Sequence, residues 1–187
     1  MRDLLSLALR PLSTVSVDRP VVVSAGALSA RACVALARAS RTVVLVAKEQ
    51  APATNAEGPI VVAARRGRAL RWAQRAASTC ERSLLVASAV EPPLLVTTEA
   101  PAHCATDVIE RSERQRLTRM DPTLDSGDVE VMVTSDPVAS ITDWAFARRA
   151  VLIVASAGTI RALQRIRQCF CSRLIDRAES SVAIVPT

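Results

Sequence analysis

Seven short runs of β-branched and aliphatic residues punctuate this chain: PVVVSA at 20–25, TVVLVA at 42–47, PIVVAA at 59–64, LLVASAV at 84–90, VEVMVT at 129–134, VLIVAS at 151–156 and SVAIVP at 181–186. Runs that are apolar at nearly every position suit strands covered on both faces, as in a parallel sheet. Helical periodicity fills most of the gaps. Leu70, Ala73, Ala77 and Cys80 recur at helical spacing after the third run, and Val138, Ile141 and Ala145 do so beyond Pro137. Ile160, Leu163, Phe170 and Leu174 mark a long amphipathic helix following Gly158. Segment 105–120 is a charged helix with Glu110 and Arg114 four residues apart, stopped by Asp121-Pro122. This alternation predicts a doubly wound α/β sandwich with right-handed crossovers.

Residues 48–58 (KEQAPATNAEG) are polar, rich in Ala and Pro, and aperiodic, so they read as a linker. The division is a partial α/β unit over 1–47 and a main domain over 59–187. With two Phe, two Trp and no Tyr, the core must be built from Val, Leu, Ile and Ala. The net charge of +6 is carried by arginine, Lys48 being the sole lysine. Basic charge can attract nucleic acid or acidic membranes. Without stacking aromatics or a basic tract, the composition argues against a nucleic-acid partner. No apolar run approaches the roughly 18 residues of a membrane helix, and Arg10 and Pro11 break the short apolar run at the start, unlike a signal peptide. An odd number of cysteines in apolar or helical contexts fits reduced thiols of a cytoplasmic protein.

Three stretches carry a family likeness: GPIVVAARRGRALRWAQRAA at 58–77, DVEVMVTSDPVASITDWAFARRAVLIVASAG at 128–158, and ALQRIRQCFCSRLIDRAESSVAIVP at 162–186. In that order they resemble the first strand and helix, the third strand through the fourth, and the last helix and final strand of the universal stress protein family. The resemblance implies a doubly wound, mostly parallel five-stranded sheet of the adenine nucleotide alpha hydrolase-like type, preceded by the partial α/β unit. It also implies a tandem member in which 1–47 are the shortened end of a first domain. The repeat of Ser-Ala-Gly at 24–26 and 156–158 fits that reading. The alternative makes 20–47 a strand–helix–strand opening of the same sheet.

Nucleotide-binding members of the family carry G-x2-G-x9-G-[S/T] after the fourth strand. Glycines are needed there because phosphate must approach backbone N–H groups closely at a helix start. A gapless placement from the final strand puts Ala155, Gly158, Gln168 and Cys169 at those four positions, so one of four matches. In the first loop, Ala63-Ala64-Arg65-Arg66-Gly67, Arg65 stands where relatives have an acidic residue. The resemblance therefore implies a degenerate site at Arg65, Gly67, Ala155, Ser156, Gly158, Thr159, Arg161 and Cys169, with family-type ATP binding lost and no cofactor. A second reading gathers Arg65, Arg66, Arg68 and Arg161 near the helix start at Thr159 to hold an anionic nucleotide or phosphorylated metabolite. Against it stands the ordinary role of solvated arginines. The family's final strand commonly pairs with its counterpart, which would place Val182, Ile184 and Val185 in a homodimer or interdomain contact.

Other candidates carry less. His103-Cys104 are adjacent in sequence, which seldom gives nucleophile–base geometry. Cys169 and Cys171 point to different faces of a helix, and a single His leaves no second ligand pair for a metal. Trp72 and Trp144 fit packing positions. Ser135-Asp136-Pro137 reads as a helix cap with proline at the first helical position. No acid, base, nucleophile or metal set stands out. The expectation is a non-enzymatic, stress-protein-like regulatory module acting through dimerisation or protein partners, with an anion sensor as the alternative.

Overall fold

The computed structural model describes residues 20–48, 57–63, 67–92, 102–158 and 169–187. Its strands are β1 (Val21–Ser24), β2 (Val44–Ala47), β3 (Ile60–Ala63), β4 (Leu84–Val90), β5 (Val129–Val133), β6 (Leu152–Ala157) and β7 (Ser181–Pro186). Between them lie α1 (Ala30–Ser40), α2 (Gly67–Thr79), α3 (Ala102–Met120), α4 (Pro137–Ala147) and α5 (Phe170–Arg177). All seven apolar runs are strands. The charged helix starts at Ala102, earlier than its sequence pattern indicates, and takes in His103 and Cys104. The single long helix expected after Gly158 is not formed: Cys169 is in extended backbone and a separate eight-residue helix starts at Phe170, while residues 159–168 lie outside the described set.

The strands form one sheet in the order β1-β2-β7-β6-β3-β4-β5. Every position of β2, β3, β6 and β7 is buried, as runs apolar on both faces require. One face packs Val44, Val46, Val61, Ile153, Val182 and Ile184 against α1, α4 and α5. The other packs Leu45, Ile60, Val62, Val86, Val154 and Val185 against α2 and α3. Alanine fills much of the helix side: Ala69, Ala73, Ala76 and Ala77 of α2 let that helix lie close on the strands, with Trp72 buried beside them. Burying a Val, Leu or Ile side chain contributes about 1.5–3 kcal/mol, so aliphatic density replaces the missing aromatics.

The sheet has seven strands where the main domain alone predicts five. The two extra strands come from the preceding unit. β2 pairs antiparallel with β7 (Val44 with Ile184, Leu45 with Ala183, Val46 with Val182), while every other pairing is parallel. A two-fold axis drawn through the Leu45–Ala183 pair carries Val46 onto Ile184 and Ala47 onto Val185. Since Ser24 pairs with Ala47 and Ser156 with Val185, the same axis carries Ser24 onto Ser156. The two Ser-Ala-Gly segments thus occupy equivalent places. The shift that carries Leu45 onto Ala183 also carries Cys33 onto Cys171 and Ala37 onto Ile175, buried residues of α1 and α5. Lys48 closes the seam, its Nζ donating to the Ile175 carbonyl at 2.6 Å and its backbone N–H to Ser181 Oγ at 3.3 Å.

Helix-to-strand turns use the left-handed region without glycine: Arg41, Glu81 and Arg149 all have φ of 54°. The Arg149 turn meets Gly58, just before β3. A Cβ on Gly58 would collide with the Arg149 carbonyl oxygen and crowd Val151 Cγ1 at 3.2 Å. The neighbouring Pro59 carbonyl accepts from Val151 N–H at 3.0 Å, so neither backbone can retreat. Gly58→Ala is expected to lower unfolding free energy by about 1–3 kcal/mol through overpacking. Arg149→Gly, which relieves left-handed backbone strain, should raise it by about 0.5–1 kcal/mol. Urea unfolding of both variants checks the two signs.

Candidate functional site

β3 and β6 lie side by side, with Ala63 opposite Ala155. From β3 the chain goes through α2 to β4 on one flank; from β6 it goes to β7 on the other. The carboxyl ends of these two strands are therefore the topological switch point, where open α/β sheets hold ligands. Of the residues expected there, Arg65, Arg66, Thr159, Arg161 and Gln168 lie outside the described residues. Gly67, Arg68, Ala155, Ser156, Gly158 and Cys169 are described, and their surroundings are specific.

Ala155 is fully buried in the core on the α1, α4 and α5 face, rather than standing at an open strand end. Three successive carbonyls at the end of β6 are taken by the chain's own donors. Cys171 Sγ donates to Ser156 O at 3.1 Å, Thr187 Oγ1 to Ala157 O at 3.0 Å, and Arg38 Nη2 to Gly158 O at 2.5 Å. The Gly158 N–H, the kind of group that would meet a phosphate, donates instead to Ser156 O at 2.8 Å. A Cβ on Gly158 would meet nothing within 4 Å, so no close approach among the described residues explains that glycine. Gly67 opens α2, and a Cβ there would make ordinary contacts at 3.4 Å with Arg71 Nη1 and 3.6 Å with Met120 Cγ. Arg68 is exposed in the first turn of α2.

Cys169 is the N-cap of α5, in extended backbone, with its Sγ 3.4 Å from Ser172 Oγ. Cys171 is buried in the first turn of that helix. The two cysteines are thus split between a cap and the core. Burial pushes the Cys33 and Cys80 thiols up, outweighing the Cys33 backbone hydrogen bond and the charge of Arg82 respectively. Thiols held protonated in this way are poor nucleophiles and poor metal ligands. Among the described residues no group of three or more His, Cys, Asp or Glu could hold a metal ion. Val182, Ile184 and Val185 are buried in β7, which has β6 on one side and β2 of the same chain on the other.

One polar cluster near the switch point is invisible to sequence spacing. Ser88 lies on β4 one residue past the Ala63–Ala87 pair, and it is buried. Its hydroxyl donates to Glu113 Oε1 at 2.5 Å, and Arg116 grips the same carboxylate through Nε at 2.8 Å and Nη2 at 2.6 Å. Glu113 and Arg116 are three apart on α3, a spacing the sequence shows; their meeting with Ser88 needs the fold. The cluster ties α3 to the sheet. It does not expose a nucleophile, because the serine hydroxyl is buried and its proton is directed at the carboxylate. Arg114, which the spacing pairs with Glu110, donates to the Val129 carbonyl at 2.9 Å. Trp72 is 2 % exposed in the core, and Trp144 is half-buried with the Arg148 guanidinium 4.0 Å above its ring.

Asp136 does the capping work that its sequence predicts. It accepts from the N–H groups of Val138 at 3.2 Å and Ala139 at 3.1 Å, with Pro137 opening the helix. Arg173 Nη2 also reaches both carboxylate oxygens at 2.8 Å, joining α4 to α5. The Ala139 N–H foremost, with Arg173 and the Val138 N–H, holds the Asp136 carboxyl below its ordinary range against the opposing effect of burial. A depressed native pKa contributes stability that is complete above the unfolded value of about 3.9 and disappears as pH falls through the native value. Asp136→Asn should therefore melt below wild type at neutral pH, and the gap should close in acid. Melting temperatures of both proteins between about pH 7 and pH 2 check the sign.

No family model matches the sequence, and no curated protein matches it. Among solved structures, a protein of Pseudomonas aeruginosa UCBPP-PA14 provisionally assigned to the universal stress proteins superposes with a TM-score of 0.60 at 14% identity, over 96% of this chain and 66% of its own. A functionally unknown protein from Pseudomonas aeruginosa PAO1 gives 0.58 at 14% identity, over 98% of this chain and 67% of its own. The chain thus spans about two thirds of the length of each. Its mixed α/β sheet is the universal stress protein-like, adenine nucleotide alpha hydrolase-like fold.

Proposed function

We propose that this chain is a universal stress protein-like regulatory module, non-enzymatic, which does not bind ATP in the family manner and acts through protein partners. The observation that carries the reading is the state of the β6 end. A phosphate cradle needs free N–H groups and small residues at that point. Here the Gly158 N–H is spent on Ser156, and Ala155 is a core residue. A fold of this type hosts many activities, so the site and not the architecture supports the proposal.

The expected result is no heat and no thermal shift when purified protein is titrated with ATP, ADP or AMP to about millimolar concentration, a level that would register even a Kd near that value. A stoichiometric, saturable shift with ATP would overturn it. The second reading, an anionic metabolite held by arginine at the same mouth, is favoured by two details. Arg38 reaches the Gly158 carbonyl while its Nε is buried without a partner, and Arg68 is exposed at the start of α2. A shift with phosphorylated sugars but not with adenine nucleotides would select that reading.

The seam between β2 and β7 belongs to the same proposal. We infer that residues 20–47 belong to a first unit equivalent to the end of the main domain, and that β2 fills the place a second copy's last strand would take. An internal partner satisfies the apolar β7 edge, which otherwise invites association. The full chain should then sediment as a monomer. A dimer that separates when Ile184 alone is made charged would sink the idea, whereas general unfolding of Ile184→Asp is what burial of that side chain predicts.

A further inference from the structure

The solvent face of α2 is an uninterrupted arginine stripe. Arg68, Arg71 and Arg75 recur at spacings of three and four and are all exposed, while Ala69, Leu70, Trp72, Ala73, Ala76 and Ala77 face the core. The helix contains no Asp or Glu. At 1.5 Å rise per residue the three guanidinium stems spread along about 10 Å of helix.

Among the described residues these charges have no ion-pair partner. The ion pairs among the described residues use Arg116, Arg173 and Arg177, and none uses an arginine of α2. Two carboxylates border the helix. Asp121 accepts from Gln74 of α2 and from Thr123, while Glu81 follows in the turn toward Arg82. Neither makes an ion pair with the stripe.

We propose that the α2 face, through Arg68, Arg71 and Arg75, binds the phosphate backbone of nucleic acid without reading its sequence. The choice of partner follows from what the face lacks. A protein partner is normally gripped through an apolar, desolvated centre, and a membrane surface through inserted apolar side chains. Every Leu, Trp and Ala that α2 could offer for either is turned into the core, Ser78 and Thr79 being its other exposed residues. Phosphate needs only guanidinium donors, and interfaces with nucleic acid are polar and strongly positive. Arginine can pair with guanine O6 and N7, but three identical guanidinium groups offer no further contrast between base pairs, and the phosphate backbone is the acceptor that all three can share on any sequence. The paucity of aromatics that argues against base stacking does not bear on backbone binding. What composition alone disperses over the chain, the fold collects on one helix.

The test is fluorescence anisotropy of a labelled duplex of about 20 base pairs titrated with the full chain, at salt from about 50 to about 200 mM. Binding at low salt is expected, falling with a log–log slope of about −3 for three neutralised phosphates. Arg71→Glu with Arg75→Glu should weaken it by at least about tenfold at low salt. Arg31→Glu with Arg41→Glu makes the same change in net charge on the α1 side of the sheet and should leave affinity within about twofold. These positions avoid the switch-point mouth, so the result is independent of any ligand there. Three results would each overturn the proposal: no anisotropy change, equal losses from both double variants, or arginine-dependent sedimentation with anionic vesicles in place of duplex binding. Should the Glu variant fail to fold, Arg71→Gln with Arg75→Gln and the wild-type salt slope decide the matter.

Discussion

The antiparallel ladder between β2 and β7 is the interaction on which the rest of the architecture depends. β7 is apolar on both faces and would be an open edge if the main domain stood alone. β2 satisfies its backbone groups, and the two sides of the sheet then extend across the seam as continuous cores. An unpaired strand of this composition invites association with other chains. Pairing within the chain removes that hazard and fixes α1 beside α5. It also explains why Arg38, far away in sequence, reaches the carbonyl of Gly158.

That reach has a consequence for the switch point. In a doubly wound sheet, the place where the crossovers diverge is usually the place where backbone groups remain free for a ligand. Here three successive carbonyls at the end of β6 accept from a thiol, a hydroxyl and a guanidinium from three different parts of the chain. One of those donors belongs to the preceding unit. The seam therefore stabilises the sheet and also conditions the mouth, because ordering α1 brings an arginine to the strand end. The Ser88–Glu113–Arg116 cluster ties α3 to β4. Each contact pairs a backbone or side-chain polar group within the chain.

The arginine of this chain is divided between two uses. Arg38, Arg114, Arg116 and Arg173 spend their donors on carbonyls and carboxylates within the fold. Those of α2 point outward with no acidic counterpart on their helix. Composition cannot distinguish these populations, since guanidinium groups that tie elements together and those that face solvent look alike in a count. Only their placement separates internal cement from a surface field.

Much of the fold was legible in the residues because local rules and the global architecture agree. Strands apolar at every position demanded cover on both faces; Pro137 after Asp136 marked a helix start; alanines at helical spacing marked the buried side of α2. The equivalence of the two Ser-Ala-Gly segments was visible as a repeat. What the chain alone left open was how its two units meet. Strand pairing is made through backbone groups that every residue carries, so the join of β2 to β7 leaves no mark in side-chain pattern. The same holds for the site: glycines missing from the strand end could be read from the sequence, but the donors that occupy its carbonyls come from positions brought near only by folding. Covalent order determined the elements and their faces. Tertiary structure alone decided which edges were satisfied, which arginines were spent and which were left facing solvent.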